Sequence, residues 1–94
     1  MTQGGKYRLK RYIEGNLNFL LTVDVLQELV VSYFVVPLEL KLSPSQELVL
    51  MSRILQGRTW GQTLHKTGLK WKEANGLLNK AILRIANQMI ISES

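Results

Sequence analysis

Apolar residues recur at three- and four-residue steps along two long stretches of the chain, and alternate with polar ones along two short stretches. The first long stretch places Phe19, Val23, Leu26, Val30 and Tyr33 on one stripe. That spacing predicts a helix beginning near Asn16–Asn18 and running to about Val35, with the stripe buried. Its last third, from Leu29 to Val36, is β-branched and aromatic, so a strand competes there. Pro37 must end a helix, because its ring pushes the preceding residue out of the helical region. The second long stretch predicts a helix from about Trp71 to Ile90. Ala74, Leu77, Leu78, Ala81, Ile82, Ile85, Ala86 and Met89 form its apolar stripe, and Lys72, Asn75, Gly76, Asn79 and Lys80 its opposite face. The alternating stretches are Tyr7–Tyr12, a short strand or a basic arm, and Leu38–Leu42, a linker or a short strand.

Capping residues mark two further helices between the long stretches. Ser43 is a good N-cap, Pro44 fits the first helical position, and Gln46 completes a capping box. This helix is expected to run to Gln56, stop at Gly57, and present Leu48, Met51, Ile54 and Leu55 to a core. Thr59 and Gln62 form a second capping box, opening a short helix that ends near Thr67. Gly68 then allows a tight turn, with Leu64, Leu69, Ala74 and Leu77 as apolar anchors on either side. Such spacing belongs to a helix-turn-helix, whose second helix buries Ala74 and Leu77 and turns its other face outward. The expected fold is therefore mainly all-α. A tri-helical helix-turn-helix module with an extended last helix occupies residues 42–94. A helix and linker over 16–41 serve packing or oligomerisation, and a basic arm, or a short strand within it, lies in residues 1–15.

Size and composition narrow the function classes. Ninety-four residues suit one small domain, and the 46% apolar content excludes a disordered chain. The absence of cysteine removes disulfides and zinc–thiolate sites and fits a reducing cytoplasm. The start is polar and basic, unlike a secretory leader. Leu17–Val36 is apolar enough to suggest a membrane span, but Asp24, Gln27 and Glu28 near its middle are costly in hydrocarbon, so no membrane is expected. His65 has no cysteines or clustered carboxylates near it in sequence, so no metal is expected and a surface position is the default. No nucleophile motif or phosphate-cradling glycine loop is present, and neither an enzyme nor a cofactor is expected.

Charge changes the picture most. Arg58, Lys66, Lys70, Lys72, Lys80 and Arg84 face only Glu73 between Gly57 and Arg84, an excess equal to the whole chain's +5. A basic patch on a helix-turn-helix segment is the footprint of a polyanion binder, though a solvated basic face without a partner would look the same.

Three groups of residues carry a resemblance. They are Leu42-Ser43-Pro44 with Glu47, Leu50 and Met51; Gly57-Arg58-Thr59; and Leu64, Thr67-Gly68-Leu69 and Glu73-Ala74-Asn75. Residues 42–85 thereby resemble the LuxR-type (NarL/GerE-type) DNA-binding domain of bacterial regulators; a sigma-factor region-four-like or generic tri-helical module accommodates the same spacing. The chain departs from the LuxR pattern at Leu64, Asn75 and Leu77, and it lacks a break before the segment 83–91. The family's short fourth, dimerising helix is thus replaced by a continuation, which shifts the expected dimer surface to the N-terminal and C-terminal helices. The residues before 42 are also too few for a receiver or sensing domain.

The resemblance implies a cytoplasmic, nucleoid-associated regulator that binds double-stranded DNA as a homodimer, or as a heterodimer with another regulator. Position then assigns roles. Lys70, Lys72 and Asn75 begin the recognition helix and Asn79 lies one turn on, where side chains reach base edges. Arg58, Thr59 and Trp60, with the amides opening the short helix, are placed for phosphate, as are Lys66 and Lys80. Trp60 and Trp71 either touch the sugar–phosphate backbone or, as expected, are partly buried, and Gly76 either permits close approach to DNA or, as expected, relieves packing. The rival reading is a co-regulator or anti-activator that seizes another regulator through its apolar helices, since Leu17–Val36 and Ile82–Ile91 exceed what three short helices can cover.

Overall fold

The computed structural model describes residues 7, 10–12, 21–35 and 40–93, with side chains as far as Met89. All regular structure among the described residues is helical. Tyr7, Lys10, Arg11 and Tyr12 are helical, so the alternation there does not form a strand at those positions. The Arg11 guanidinium lies 5.8 Å from the Tyr7 ring, four residues before it in the chain. Tyr12 packs against the core.

Helix α1 spans Val23–Val35. Thr22 opens it: its carbonyl accepts the Leu26 amide at 3.0 Å and its hydroxyl oxygen accepts the Val25 amide at 3.4 Å. Leu21 and Thr22 are not helical, so no unbroken helix runs from Asn16–Asn18 to Val35; Asn16–Asn18 and Phe19 lie outside the described residues. Val25, Leu29 and Val30 are buried, with Leu26 and Tyr33 packed beside them. Val23, expected inside, is 67% exposed at the first position of the helix. The β-branched run is helical through Val35: Leu29 and Val30 are fully buried against the rest of the core, and packing overrides strand propensity. Pro37 is outside the described residues. Leu40–Leu42 form an irregular linker rather than a strand, tied down by the Leu42 amide donating to the Tyr33 hydroxyl at 3.1 Å.

Helix α2, Pro44–Leu50, has the expected reciprocal cap: the Gln46 amide donates to Ser43 Oγ at 3.2 Å, and the Ser43 amide donates to Gln46 Oε1 at 3.1 Å. The helix does not continue as an α-helix to Gln56. Met51–Leu55 is a π-turn, closed by the Gln56 amide donating to the Met51 carbonyl at 2.9 Å. Its core face also differs from the expected one. Gln46, Val49, Leu50 and Ser52 are buried, Leu48 is half-buried, and Met51 and Leu55 are exposed; of the expected four, Ile54 packs on the core. Leu48-Val49-Leu50-Met51 are all apolar, so periodicity alone cannot choose a face. Packing decides it: residues 46, 49 and 50 share one side of the helix, and that side meets the core.

Helix α3, Trp60–Thr67, ends at Gly68 in the left-handed conformation, φ +72°, with the Gly68 amide donating to the Leu64 carbonyl at 2.8 Å. Helix α4, Trp71–Glu93, buries Ala74, Leu78, Ala81, Ile82, Ile85 and Ala86. Leu77 is only half-buried on the flank of that stripe. Helices α1, α2 and α3 all pack on α4. Part of the apolar stripe of α4 is thus covered by α1 within the chain itself. Among the described residues, Leu29, Leu50 and Ile85 are the largest apolar side chains fully removed from solvent, each worth roughly 1.5–3 kcal/mol of transfer free energy.

Candidate nucleic-acid interface

The surface formed by α3, the turn Gly68–Lys70 and the first half of α4 is positioned from below by a small polar lock. Ser52 and Thr63 have no exposed surface, and their hydroxyl oxygens lie 2.8 Å apart, joining the π-turn to the middle of α3. The Arg58 amide donates to the Ser52 carbonyl at 2.9 Å, so the turn entering α3 is fastened to the same residue. Gly57, φ +62°, lets the chain reverse there.

Arg53 completes the scaffold. Its Nη1 donates to the Arg58 carbonyl at 2.6 Å, and its guanidinium carbon lies 4.6 Å from the Trp60 ring centroid. Trp60 in turn meets Trp71 edge-on, with centroids 6.2 Å apart. Sequence reasoning assigned Arg53 no role. An arginine one turn beyond Val49–Leu50 on the side that turns inward is the signal that could have found it. Trp60 is half-buried against the core, as expected, whereas Trp71 is 51% exposed; its place at the first turn of α4 leaves one side of its ring without a covering element.

The expected contact residues divide into those free to meet a ligand and those already engaged. Lys66, Lys70, Lys72, Lys80 and Arg84 are exposed. Lys70 stands just before α4, its carbonyl accepting the Ala74 amide at 2.9 Å, and Lys72 lies in the first turn. Lys72 and Lys80 are separated by eight residues, a little over two turns, on the side away from Ala74, Leu78 and Ala81. Asn79 is exposed and belongs to the same side, but it also borders a cleft of about 280 Å³ with Tyr12, Leu26 and Arg53. Asn75 is half-buried at the edge of the face rather than projecting from it. Arg58 is exposed, its Nε donating to Gln56 Oε1 at 2.8 Å. Thr59 is engaged in capping: its hydroxyl oxygen accepts the Gln62 amide at 3.2 Å, and its own amide donates to Gln62 Oε1 at 3.0 Å. The amide donors left at the start of α3 are therefore those of Trp60 and Gly61.

Packing relief does not account for Gly76. A Cβ built there would meet no atom within 4 Å, and the residue does not need a positive φ. Among the described residues, no group of three or more His, Asp or Glu could hold a metal ion, and no helix is long and apolar enough to cross a membrane. Burial raises the Tyr12 phenol above its ordinary pKa of 10.0. No protein-family model, curated protein or solved structure matches this chain.

Proposed function

We propose that this chain is a small bacterial transcription regulator that binds duplex DNA through α3 and α4, acting as a homodimer at the nucleoid of the cytoplasm. It is a binding protein and not an enzyme. The observation that carries the reading is the disposition of charge: Arg58, Lys66, Lys70, Lys72, Lys80 and Arg84 are all exposed, on the two helices, on the Gly68–Lys70 turn that joins them and on the loop leading into them. In α4 the same rod that buries Ala74, Leu78 and Ala81 carries Lys72 and Lys80 outward. A rigid basic helix of this kind matches the width and charge of a DNA major groove. Lys70, Lys72, Asn75 and Asn79 are the base-reading candidates. Arg58, Lys66 and Lys80 hold phosphate, with Thr59 and Trp60 contributing the geometry of the α3 start.

Fluorescence anisotropy with labelled duplex DNA across a salt series tests this. Replacing both Lys70 and Lys72 by alanine should weaken binding and flatten the slope of log affinity against log salt, because two positive charges are removed from the surface that meets the polyanion. Absence of binding by the unaltered protein at low salt would remove the reading.

A second reading has its own observation. Val23, Val31, Phe34 and Val35 of α1 are exposed large apolar residues, a surface suited to another regulator. A complex with such a partner that survives high salt and contains no DNA would favour a co-regulator or anti-activator.

A further inference from the structure

The exposed side of α4 has a bare patch at its middle. At 3.6 residues per turn, Gly76 lies one turn from Lys72 on one side and one turn from Lys80 on the other, with Asn79 and Leu83 on the same side. All four of those neighbours are exposed. Gly76 itself is half-buried, and at that position the helix carries no side chain between the two lysines.

Nothing in the protein requires this. A methyl group at residue 76 would touch no atom within 4 Å, and the backbone there does not have the positive φ that favours glycine. Glycine inside a helix is less stable than alanine, because it loses more backbone freedom on folding and leaves the peptide groups open to water. The fold is thus held below the stability that the simplest substitution would give it. The contrast with Gly57 and Gly68 is direct, since both of those adopt φ above +60° at turns.

We propose that Gly76 is the point of closest approach between the protein and duplex DNA, a gap that lets the sugar–phosphate edge of the groove rest against the α4 backbone while Lys72 reaches toward base edges on one side and Lys80 holds a phosphate on the other. The inference rests on the DNA-binding reading above. The charge of the flanking residues selects the occupant. Glu73, exposed and three residues before Gly76, is the only acidic residue between Gly57 and Arg84; Lys72 and Lys80 outweigh it around the gap, so the surface there is net positive and favours a polyanion. Side chains flanking the gap can reach around a bound strand, whereas a side chain at residue 76 would have to lie beneath it.

The experiment pairs thermal melting with anisotropy on a mixed-sequence DNA duplex for the unaltered protein, Gly76→Ala, Gly76→Leu and Lys72→Ala. Alanine and leucine are both better helix formers than glycine, so both Gly76 variants should melt about 2–8 °C higher. Duplex affinity should fall in the same variants, several-fold for alanine and tenfold or more for leucine. If the unaltered protein binds and Lys72→Ala weakens binding while Gly76→Leu binds normally, the DNA reading stands and the role of Gly76 is overturned. If the Gly76 variants melt lower, the glycine serves the fold and the role is likewise overturned. If the unaltered protein binds no duplex at low salt, both fall.

Discussion

The buried hydroxyl pair offers the sharpest test of how the basic surface is held. Ser52 and Thr63 are fully enclosed and 2.8 Å apart, linking the π-turn to α3. Thr63→Val keeps the side-chain shape but leaves the Ser52 hydroxyl facing a methyl group, and Ser52→Ala leaves the Thr63 hydroxyl in the same position. An unsatisfied buried hydroxyl costs about 1–3 kcal/mol, whereas removing both partners of a hydrogen bond can be nearly neutral. Each single variant should therefore lose about 1–3 kcal/mol of stability, and the double variant less than the sum, with a coupling of about 1–2 kcal/mol. For a domain of this size each kcal/mol lowers Tm by roughly 4–8 °C, so thermal melting followed by circular dichroism resolves the cycle. A double variant as destabilised as the two singles added together would show that the hydroxyls do not depend on one another. Singles that melt like the unaltered protein would show that the contact is not enclosed.

Two further outcomes follow from local geometry. Gly68→Ala should lose about 1–2 kcal/mol in thermal melting, because φ +72° is strained for alanine although nothing crowds the added methyl; an unchanged Tm would contradict the left-handed cap. Arg53→Met should lose about 1–2 kcal/mol by removing the guanidinium over Trp60 and the donor to the Arg58 carbonyl, and should shift the tryptophan emission; an emission spectrum identical to that of the unaltered protein would contradict the stack.

What could be read from the sequence was mostly what a few adjacent residues decide by themselves. Ser43 with Gln46, and Thr59 with Gln62, cap through side chains that reach their own neighbours, so the starts of α2 and α3 were legible. Gly57 and Gly68 marked the turns for the same reason. The stripe of α4 was legible because small and large apolar residues repeat along the helix with polar residues between them. The core face of α2 was not, since four apolar residues in a row carry no phase and the π-turn shifts the phase afterwards. The start of α1 escaped because apolar residues continue on both sides of Thr22. Within the candidate interface, the exposed cations could be found from their clustering in sequence. The half-burial of Asn75, the exposure of Trp71 and the clamp made by Arg53 depend on packing between helices distant in the chain, which periodicity does not encode.

The π-turn ties orientation to residue count. In a helix, gaining or losing one residue rotates everything beyond it by about 100°. The extra residue accommodated between Met51 and Leu55 thus fixes the direction in which the downstream pair of helices aims its cations relative to α1. A one-residue deletion in this segment would keep nearly all of the side-chain chemistry and still re-aim the face. The heading of the charged surface is, in that sense, a matter of arithmetic along the backbone before it is a matter of composition.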